Sequence, residues 1–96
     1  MDNDGLRHEI LRRVRIETVI GEAVELEPSR GQLRGSCPAH PDTDQALYVD
    51  ADSGVYHCYS CRRQGDVIRW VMEDMRLTKD DAMTALALRA GIETDL

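Results

Sequence analysis

Two pairs of potential metal ligands constrain this chain more than any other feature of its sequence. The first pair is Cys37 and His40, and seventeen residues separate it from the second pair, Cys58 and Cys61. Each pair encloses two residues, so a short turn can direct both side chains to one ion. Structural zinc takes four Cys or His ligands at the corners of a tetrahedron, which leaves no position for water. The spacing therefore predicts one structural zinc bound by these four residues.

The same residues allow three other interpretations. The chain has three cysteines, which cannot all pair, so a disulfide framework is disfavoured. A redox pair at Cys58 and Cys61 is conceivable but leaves the matching Cys37 and His40 unexplained. His57 precedes Cys58 and could replace His40 as the fourth ligand. The two-residue spacing favours His40, because adjacent residues of a strand point to opposite faces.

The length of 96 residues predicts a single domain over residues 1–96, with its core at about residues 5–92. A chain this short buries a modest core, so a metal ion is a plausible source of stability. No stretch approaches the roughly 20 apolar residues of a membrane span, and the N-terminus is polar and acidic, unlike an export signal. Together with reduced cysteines, these features predict a cytoplasmic protein with no membrane partner.

The net charge of −6 argues against nucleic acid as a partner, since domains that bind it are usually basic. The distribution of charge matters more than the total, however. Residues 16–29 and the C-terminal third are acidic, whereas the metal-bearing middle of the chain is formally neutral. The region around the zinc is therefore expected to be the least acidic large surface, although it is not a basic one.

Four segments have the apolar spacing of amphipathic helices. They run from Asp4 to about Arg13, from Ile16 to about Glu22, from Asp66 through Met75, and from Thr78 to about Ala90. Asp4, Asp66 and Thr78 are the predicted N-caps. Met75 is expected on the packing face of the third helix, and Leu88 or Arg89 near that of the fourth.

The middle of the chain reads as strands and turns. Residues 24–27 alternate apolar and acidic side chains and predict a strand, followed by a turn at 28–31 and a partner strand at 32–35. A polar loop at 41–45 precedes strands at 46–50 and 55–58, which Gly54 joins in a hairpin turn. The predicted fold is α+β: a zinc ribbon on a small antiparallel β-sheet, flanked by short N-terminal and longer C-terminal helices.

Several of these segments resemble one known family. The segments are 35–40, 54–61, 65–68 and 89–92, which read GSCPAH, GVYHCYSC, GDVI and RAGI. They resemble the N-terminal zinc-binding domain of bacterial-type DNA primases, whose ligand spacing this chain matches without gaps. The resemblance covers about residues 5–92. It implies a zinc finger that is not catalytic alone and that serves DNA replication within a primosome.

The resemblance also implies partners and contact residues. Domains of this family are thought to bind single-stranded DNA template and to help a separate primase catalytic domain, or another replication protein, begin an RNA primer. Tyr48 is the sharper candidate contact, because it lies between Leu47 and Val49 and faces away from them. Tyr56 could equally pack within the sheet, and Tyr59 is expected to shield the metal. The candidate nucleic-acid-binding residues are Arg34, Tyr48, Tyr56, Arg62 and Arg63.

Two other functions remain open at this point. The acidic helices also suit a free-standing zinc-ribbon adaptor or regulator that binds a protein partner. An enzyme that uses zinc or thiols is disfavoured, since four protein ligands leave no exchangeable water on the metal. The chain also departs from the family pattern: the run at residues 43–47, after the first ligand pair, contains no lysine, and Arg62 and Arg63 occupy positions that are usually small.

Overall fold

The computed structural model describes residues 3–38 and 45–91. No helix within these ranges is both long enough and apolar enough to span a bilayer. In chain order, the helices and strands of the described residues are α1 (Asn3–Arg13), α2 (Ile16–Gly21), β1 (Glu27–Ser29), β2 (Gln32–Gly35), β3 (Leu47–Asp50), β4 (Val55–Cys58), β5 (Gln64–Gly65), α3 (Val67–Met75) and α4 (Lys79–Arg89).

The two N-terminal helices form where their apolar spacing predicts them. Ile10 and Val14 of the α1 segment and Ile16, Val19 and Ile20 of α2 are buried in the core. Helix α1 begins at Asn3, one residue before the predicted cap, so Asp4 lies inside the helix rather than at its N-cap.

All five strands pair antiparallel in the order β1-β2-β3-β4-β5. The predicted strand at 24–27 is wrong: β1 starts at Glu27 and continues through Pro28 and Ser29. The hairpin turn is therefore Arg30–Gly31, whose φ angles of 51° and 82° match the two positive angles of a type I′ turn. The alternation at 24–27 reflects burial of Val24 against the core, not pairing in the sheet.

The central β3–β4 hairpin agrees with the prediction. Gly54 takes a φ of 71° in its turn, and the carboxylate of Asp50 accepts hydrogen bonds from the backbone N–H groups of Asp52 and Ser53. Strand β5 was not predicted. It has two residues and pairs His57 with Gln64 and Tyr56 with Gly65.

The two C-terminal helices begin at the predicted caps. The Asp66 carboxylate accepts a hydrogen bond from the Arg69 N–H at 3.0 Å, and the Thr78 hydroxyl oxygen accepts one from the Asp81 N–H at 3.2 Å. Capping of this kind satisfies backbone donors that have no partner within the helix. The start points of α3 and α4 are thus determined by local sequence.

The ends of these helices differ from the prediction at two apolar residues. Met75 is 59% exposed and Leu88 is 66% exposed, although both were expected at or near a packing face. After Met75 the chain turns sharply through Arg76, which has a φ of 55°. In the last turn of α3, Met72 packs against the core, whereas the described residues leave most of the Met75 side chain uncovered. On α4, Met83 and Ala87 are buried instead of Leu88.

The core lies between the helices and one face of the sheet. Leu47 and Val49 of β3 and Tyr56 and Cys58 of β4 are buried together with apolar residues from all four helices. This inner face of the sheet is therefore covered, while the side chains that alternate with it point outward. The arrangement confirms the predicted α+β class.

Candidate metal centre and nucleic-acid interface

Three cysteine side chains converge at one end of the sheet. The Sγ atoms of Cys37, Cys58 and Cys61 all lie within 4.8 Å of one another, and those of Cys37 and Cys61 are 3.9 Å apart. Two sulfur ligands of tetrahedral zinc, each bonded at about 2.3 Å, lie about 3.8 Å apart. A disulfide would require about 2.05 Å, and none of the three cysteines is in one. The spacing of the sulfurs fits a shared zinc ion.

A closed backbone turn brings Cys61 back toward Cys58. The N–H of Cys58 donates to the carbonyl of Arg63 at 2.8 Å, and the carbonyl of Cys58 accepts from the N–H of Arg62 at 2.8 Å. Arg62 takes a φ of 65°, which helps reverse the chain. The N–H of Tyr59 donates to the carbonyl of Ala46 and ties the turn to the segment before β3. This turn, residues 58–63, is called the metal turn below.

The burial of the sulfurs differs among the three cysteines. Cys37 and Cys58 are buried in the core cluster, whereas Cys61 is exposed at the tip of the metal turn. The site thus lies at the boundary between the core and solvent. Cysteine ligands in this position are typical of a metal that stabilises the fold.

The fourth ligand is not tested by the structure. His40 lies outside the described residues, so it stays a prediction. His57 faces away from the sulfurs, and its ring centroid is 4.3 Å from that of Tyr59. Among the described residues, the group of close ligand atoms contains the three cysteines and neither His8 nor His57. The opposite directions of His57 and Cys58 are those expected for neighbours in a strand.

Aromatic and basic side chains form a row across the outer face of the sheet. The strand register places Arg34 opposite Tyr48 and Tyr48 opposite His57. The Arg34 guanidinium carbon is 5.8 Å from the centre of the Tyr48 ring, and Arg34 Nε donates to the carbonyl of Gln45 at 2.9 Å. The rings of Tyr48 and Tyr59 meet edge to face at 5.2 Å. These four residues, Arg34, Tyr48, His57 and Tyr59, are called the outer aromatic cluster.

Two members of the outer aromatic cluster were missed from sequence. Tyr59 is 64% exposed and contacts Tyr48 and His57, whereas it was expected to shield the metal. His57 was considered only as a metal ligand. The pairing of β3 with β4 could have identified His57, because it places residues 48 and 57 side by side on one face.

Tyr56 is a correction to the predicted contact residues. It is only 2% exposed, and its ring packs edge to face on Trp70 at 5.1 Å. Burial, and then the negative charge of Glu73, raise the pKa of the Tyr56 hydroxyl. Because strand side chains alternate, Tyr56 points into the core between outward-facing Val55 and His57. It cannot contact a ligand at the surface.

The two arginines of the metal turn have different surroundings. Arg63 forms an ion pair with Glu73 of α3, at 2.9 Å between Nη1 and Oε2. Arg62 is exposed and has no ion pair among residues 3–38 and 45–91. Both follow Cys61 in the metal turn and lie outside the row of residues paired across the sheet. Arg62 is thus the arginine of this turn whose charge is available to a partner.

Comparison with known proteins identifies the family. A family model described as CHC2 zinc finger matches residues 3–96. The chain belongs to the CHC2 zinc finger family. The resemblance to primase zinc-binding domains that the sequence suggested is thereby confirmed. Family membership together with the three converging sulfurs establishes one structural zinc as the cofactor of this zinc finger.

The relatives of this CHC2 zinc finger are DNA primases. It is 41% identical over 78 residues to the DNA primase of Deinococcus radiodurans, an alignment that covers 80% of this chain and 14% of the relative. It is 38% identical over 88 residues to the DNA primase of Thermotoga maritima, which covers 92% of this chain and 16% of the relative. The chain thus spans about a seventh of the length of these relatives.

A solved structure has the same fold. The Aquifex aeolicus primase, crystallised as its zinc-binding and RNA polymerase domains, superposes with a TM-score of 0.86 at 32% identity. The match covers 92% of this chain and 22% of the Aquifex chain. The five-stranded sheet and four helices described above are therefore those of a primase zinc-binding domain.

Proposed function

We propose that this CHC2 zinc finger binds single-stranded DNA template and supports RNA primer synthesis by a separate primase catalytic domain. The domain itself performs no catalysis in this proposal. It acts in the cytoplasm as a single unit over residues 1–96, with its core at about residues 5–92. Its relatives are DNA primases many times its length, which supports a role as one domain of a larger protein or complex.

The outer aromatic cluster is the observation that carries this proposal. Tyr48, His57 and Tyr59 offer ring faces and edges on a sheet surface that the helices leave open, and Arg34 lies beside them. Stacking of a base on an aromatic side chain is worth about 1–3 kcal/mol and tolerates any sequence. Arginine holds the phosphate backbone by charge. Arg34 and Arg62 are the cations that we assign to this role.

The charge of the domain predicts weak binding. Asp50 follows Tyr48 on the same outer face, and Glu27 pairs with Arg34 at the neighbouring strand. These acids repel phosphates, in keeping with the net charge of −6. Affinity should therefore be low, because few phosphates are neutralised, and it should fall as salt rises, because each phosphate contact releases counterions. A template held this loosely suits a domain that works beside a catalytic partner.

Titration of zinc-loaded protein with short, labelled single-stranded DNA tests the proposal. Measured at about 50 mM and about 200 mM salt, the affinity should be lower at the higher concentration. Tyr48→Ala and Tyr59→Ala should each weaken binding, by about 1–3 kcal/mol for a base that stacks there. Tyr56→Phe is the matched control: it keeps a buried ring and should bind as wild type. No binding at the lower salt concentration contradicts the proposal.

The ligand set of the zinc is part of the proposal. We assign Cys37, His40, Cys58 and Cys61 as its four ligands, and the bound ion supplies structural restraint rather than chemistry. Fixing Cys61 fixes the metal turn, and with it the position of Tyr59 at the outer aromatic cluster. His40→Ala should release zinc, whereas His57→Ala should retain it. Metal content measured after gel filtration would reject the assignment if only His57→Ala lost zinc.

A zinc-ribbon adaptor that binds a protein partner is the second candidate. The acidic net charge favours it, since acidic surfaces repel nucleic acid and attract basic proteins. In the DNA titration it predicts no signal at either salt concentration. The same experiment thus separates the two functions.

A further inference from the structure

A second surface lies on the helical side of the molecule. Helices α2, α3 and α4 enclose an open groove of about 240 Å³. These helices pack on the inner face of the sheet, so the groove is separate from the outer aromatic cluster. Nothing in the proposed binding of DNA uses this surface.

The groove is apolar at its base. Val19, Val71 and Leu86 form the floor, one from each helix, and all three are buried. Ala85 and Met75 form part of its walls. A volume of about 240 Å³ is below the roughly 300–1,000 Å³ of small-molecule sites. The groove therefore suits one or two side chains of a protein partner.

The apolar face of α3 extends beyond the residues that the rest of the domain buries. Met75 lies one helical turn after Val71, on the same face of α3, yet it is 59% exposed. A methionine side chain is flexible and polarisable, so it adapts to the shape of a partner. Met75 has the spacing of a buried residue but is exposed in this fold. A partner protein that covered it would bury it.

The rim of the groove is negatively charged. Asp74 lines it, and Asp81, which does not itself line the groove, lies one helical turn before the lining residue Ala85 on α4. Neither carboxylate has an ion-pair partner in the part of the chain that the structure describes. At the other end, Arg89 Nη1 donates to Glu22 Oε1 at 2.8 Å, which neutralises both charges. The unpaired charge at the rim is acidic.

We infer that this groove binds an amphipathic, basic helix of a partner protein. An aliphatic side chain of that helix enters between Val71 and Leu86, and flanking Lys or Arg side chains reach Asp74 and Asp81. Insertion of one apolar helix face into a groove is a common mode of peptide recognition, with anchors at helical spacing. Opposite charges at the rim orient the partner and speed its association.

Selection from a displayed library of random 16-residue peptides, against zinc-loaded protein, tests this inference. The enriched peptides should carry aliphatic residues at helical spacing, flanked by Lys or Arg. Binding of these peptides should weaken about tenfold for Met75→Ser, because an apolar anchor contact is lost. Asp74→Asn should reduce the salt dependence of binding.

Leu88→Ser is the matched control for Met75→Ser. Leu88 is also a large, exposed apolar residue, at 66%, but it does not line the groove; the variant should bind the peptides as wild type does. The inference fails if no peptide is enriched, if the enriched peptides are acidic, or if both variants weaken binding equally. It also fails if sedimentation shows a dimer that Met75→Ser dissociates, since the groove would then hold a second copy of this chain. A normal zinc content in each variant ensures that the fold is intact.

Discussion

The two faces of the sheet use the same strands for opposite purposes. The inner face carries Leu47, Val49 and Tyr56, which have almost no exposed surface. The outer face carries Tyr48 and His57 from the same two strands, paired across the β3–β4 hairpin and partly exposed to solvent. The two faces differ because successive side chains of a strand point in opposite directions.

This difference shows how a small domain separates stability from recognition. Aromatic residues on the inner face contribute apolar burial, whereas those on the outer face remain available for stacking on a ligand. Cys58 lies on the inner face at the end of β4 and connects the two roles, because the proposed zinc site includes it and holds the turn that positions Tyr59. Substitutions on the two faces should therefore have different consequences.

Loss of the metal should have the largest effect on stability. Without the folded sheet, there is no longer a buried face and an exposed face. Cys58→Ser removes one of the three converging sulfurs, which is also buried in the core. Zinc contributes on the order of 10 kcal/mol to the folding of small zinc peptides, so we expect loss of bound zinc and of cooperative unfolding. Metal analysis and circular dichroism during heating measure both. Ser60→Ala, in the same turn, should retain zinc. A chelated protein that keeps its melting transition contradicts this expectation.

Removing a tyrosine ring from each face tests the comparison directly. Tyr56→Ala should destabilise the zinc-loaded protein by about 3–5 kcal/mol, as for other large aromatic truncations in a core. Tyr48→Ala should cost less than about 1 kcal/mol, because its ring is partly exposed. Urea unfolding of both variants measures the two free energies. Equal values would mean that the outer face contributes to stability as much as the inner face does.

Gly35 is a closely packed point on the inner side of the sheet. A Cβ atom at this position would lie 2.6 Å from the carbonyl oxygen of Glu25 and 2.8 Å from a methyl group of Val24. Gly35→Ala should therefore destabilise the protein by about 1–3 kcal/mol, like other overpacked sites. Gly21→Ala is the control: its Cβ meets no atom within 4 Å, and alanine favours the helix. Thermal melting should show a lower midpoint for the first variant alone.

The smallest expected effect concerns the hairpin turn at the end of the outer face. Hydrogen bonds from Ser53, and then from Asp52, lower the pKa of Asp50. A lowered pKa means that the folded state favours the carboxylate, so its stabilisation is present above about pH 4 and is lost as pH falls further. The difference in melting temperature between wild type and Asp50→Asn should therefore shrink as pH is lowered from 6 toward the pKa of Asp50. The comparison uses only pH values at which metal analysis shows that both proteins retain zinc, since the melting transition depends on the ion.

The sequence by itself determined the features that depend on residues close together along the chain. The two caps at Asp66 and Thr78, the β3–β4 hairpin with Gly54 and the spacing of the cysteines were predicted and are present. Each depends on a few consecutive residues, or on a spacing that one turn can satisfy. The alternation of strand residues also predicted the outward direction of Tyr48.

Only the tertiary structure decided which distant residues meet. It brought Tyr59 onto Tyr48, added β5 to the sheet edge, buried Tyr56 against Trp70 and left Met75 uncovered. Periodicity shows which residues share a face of a helix or strand. It does not show which elements pack against that face, or at which residue the packing ends. Those outcomes depend on the register between strands and on how far each neighbouring helix extends, which are set by packing across the whole chain.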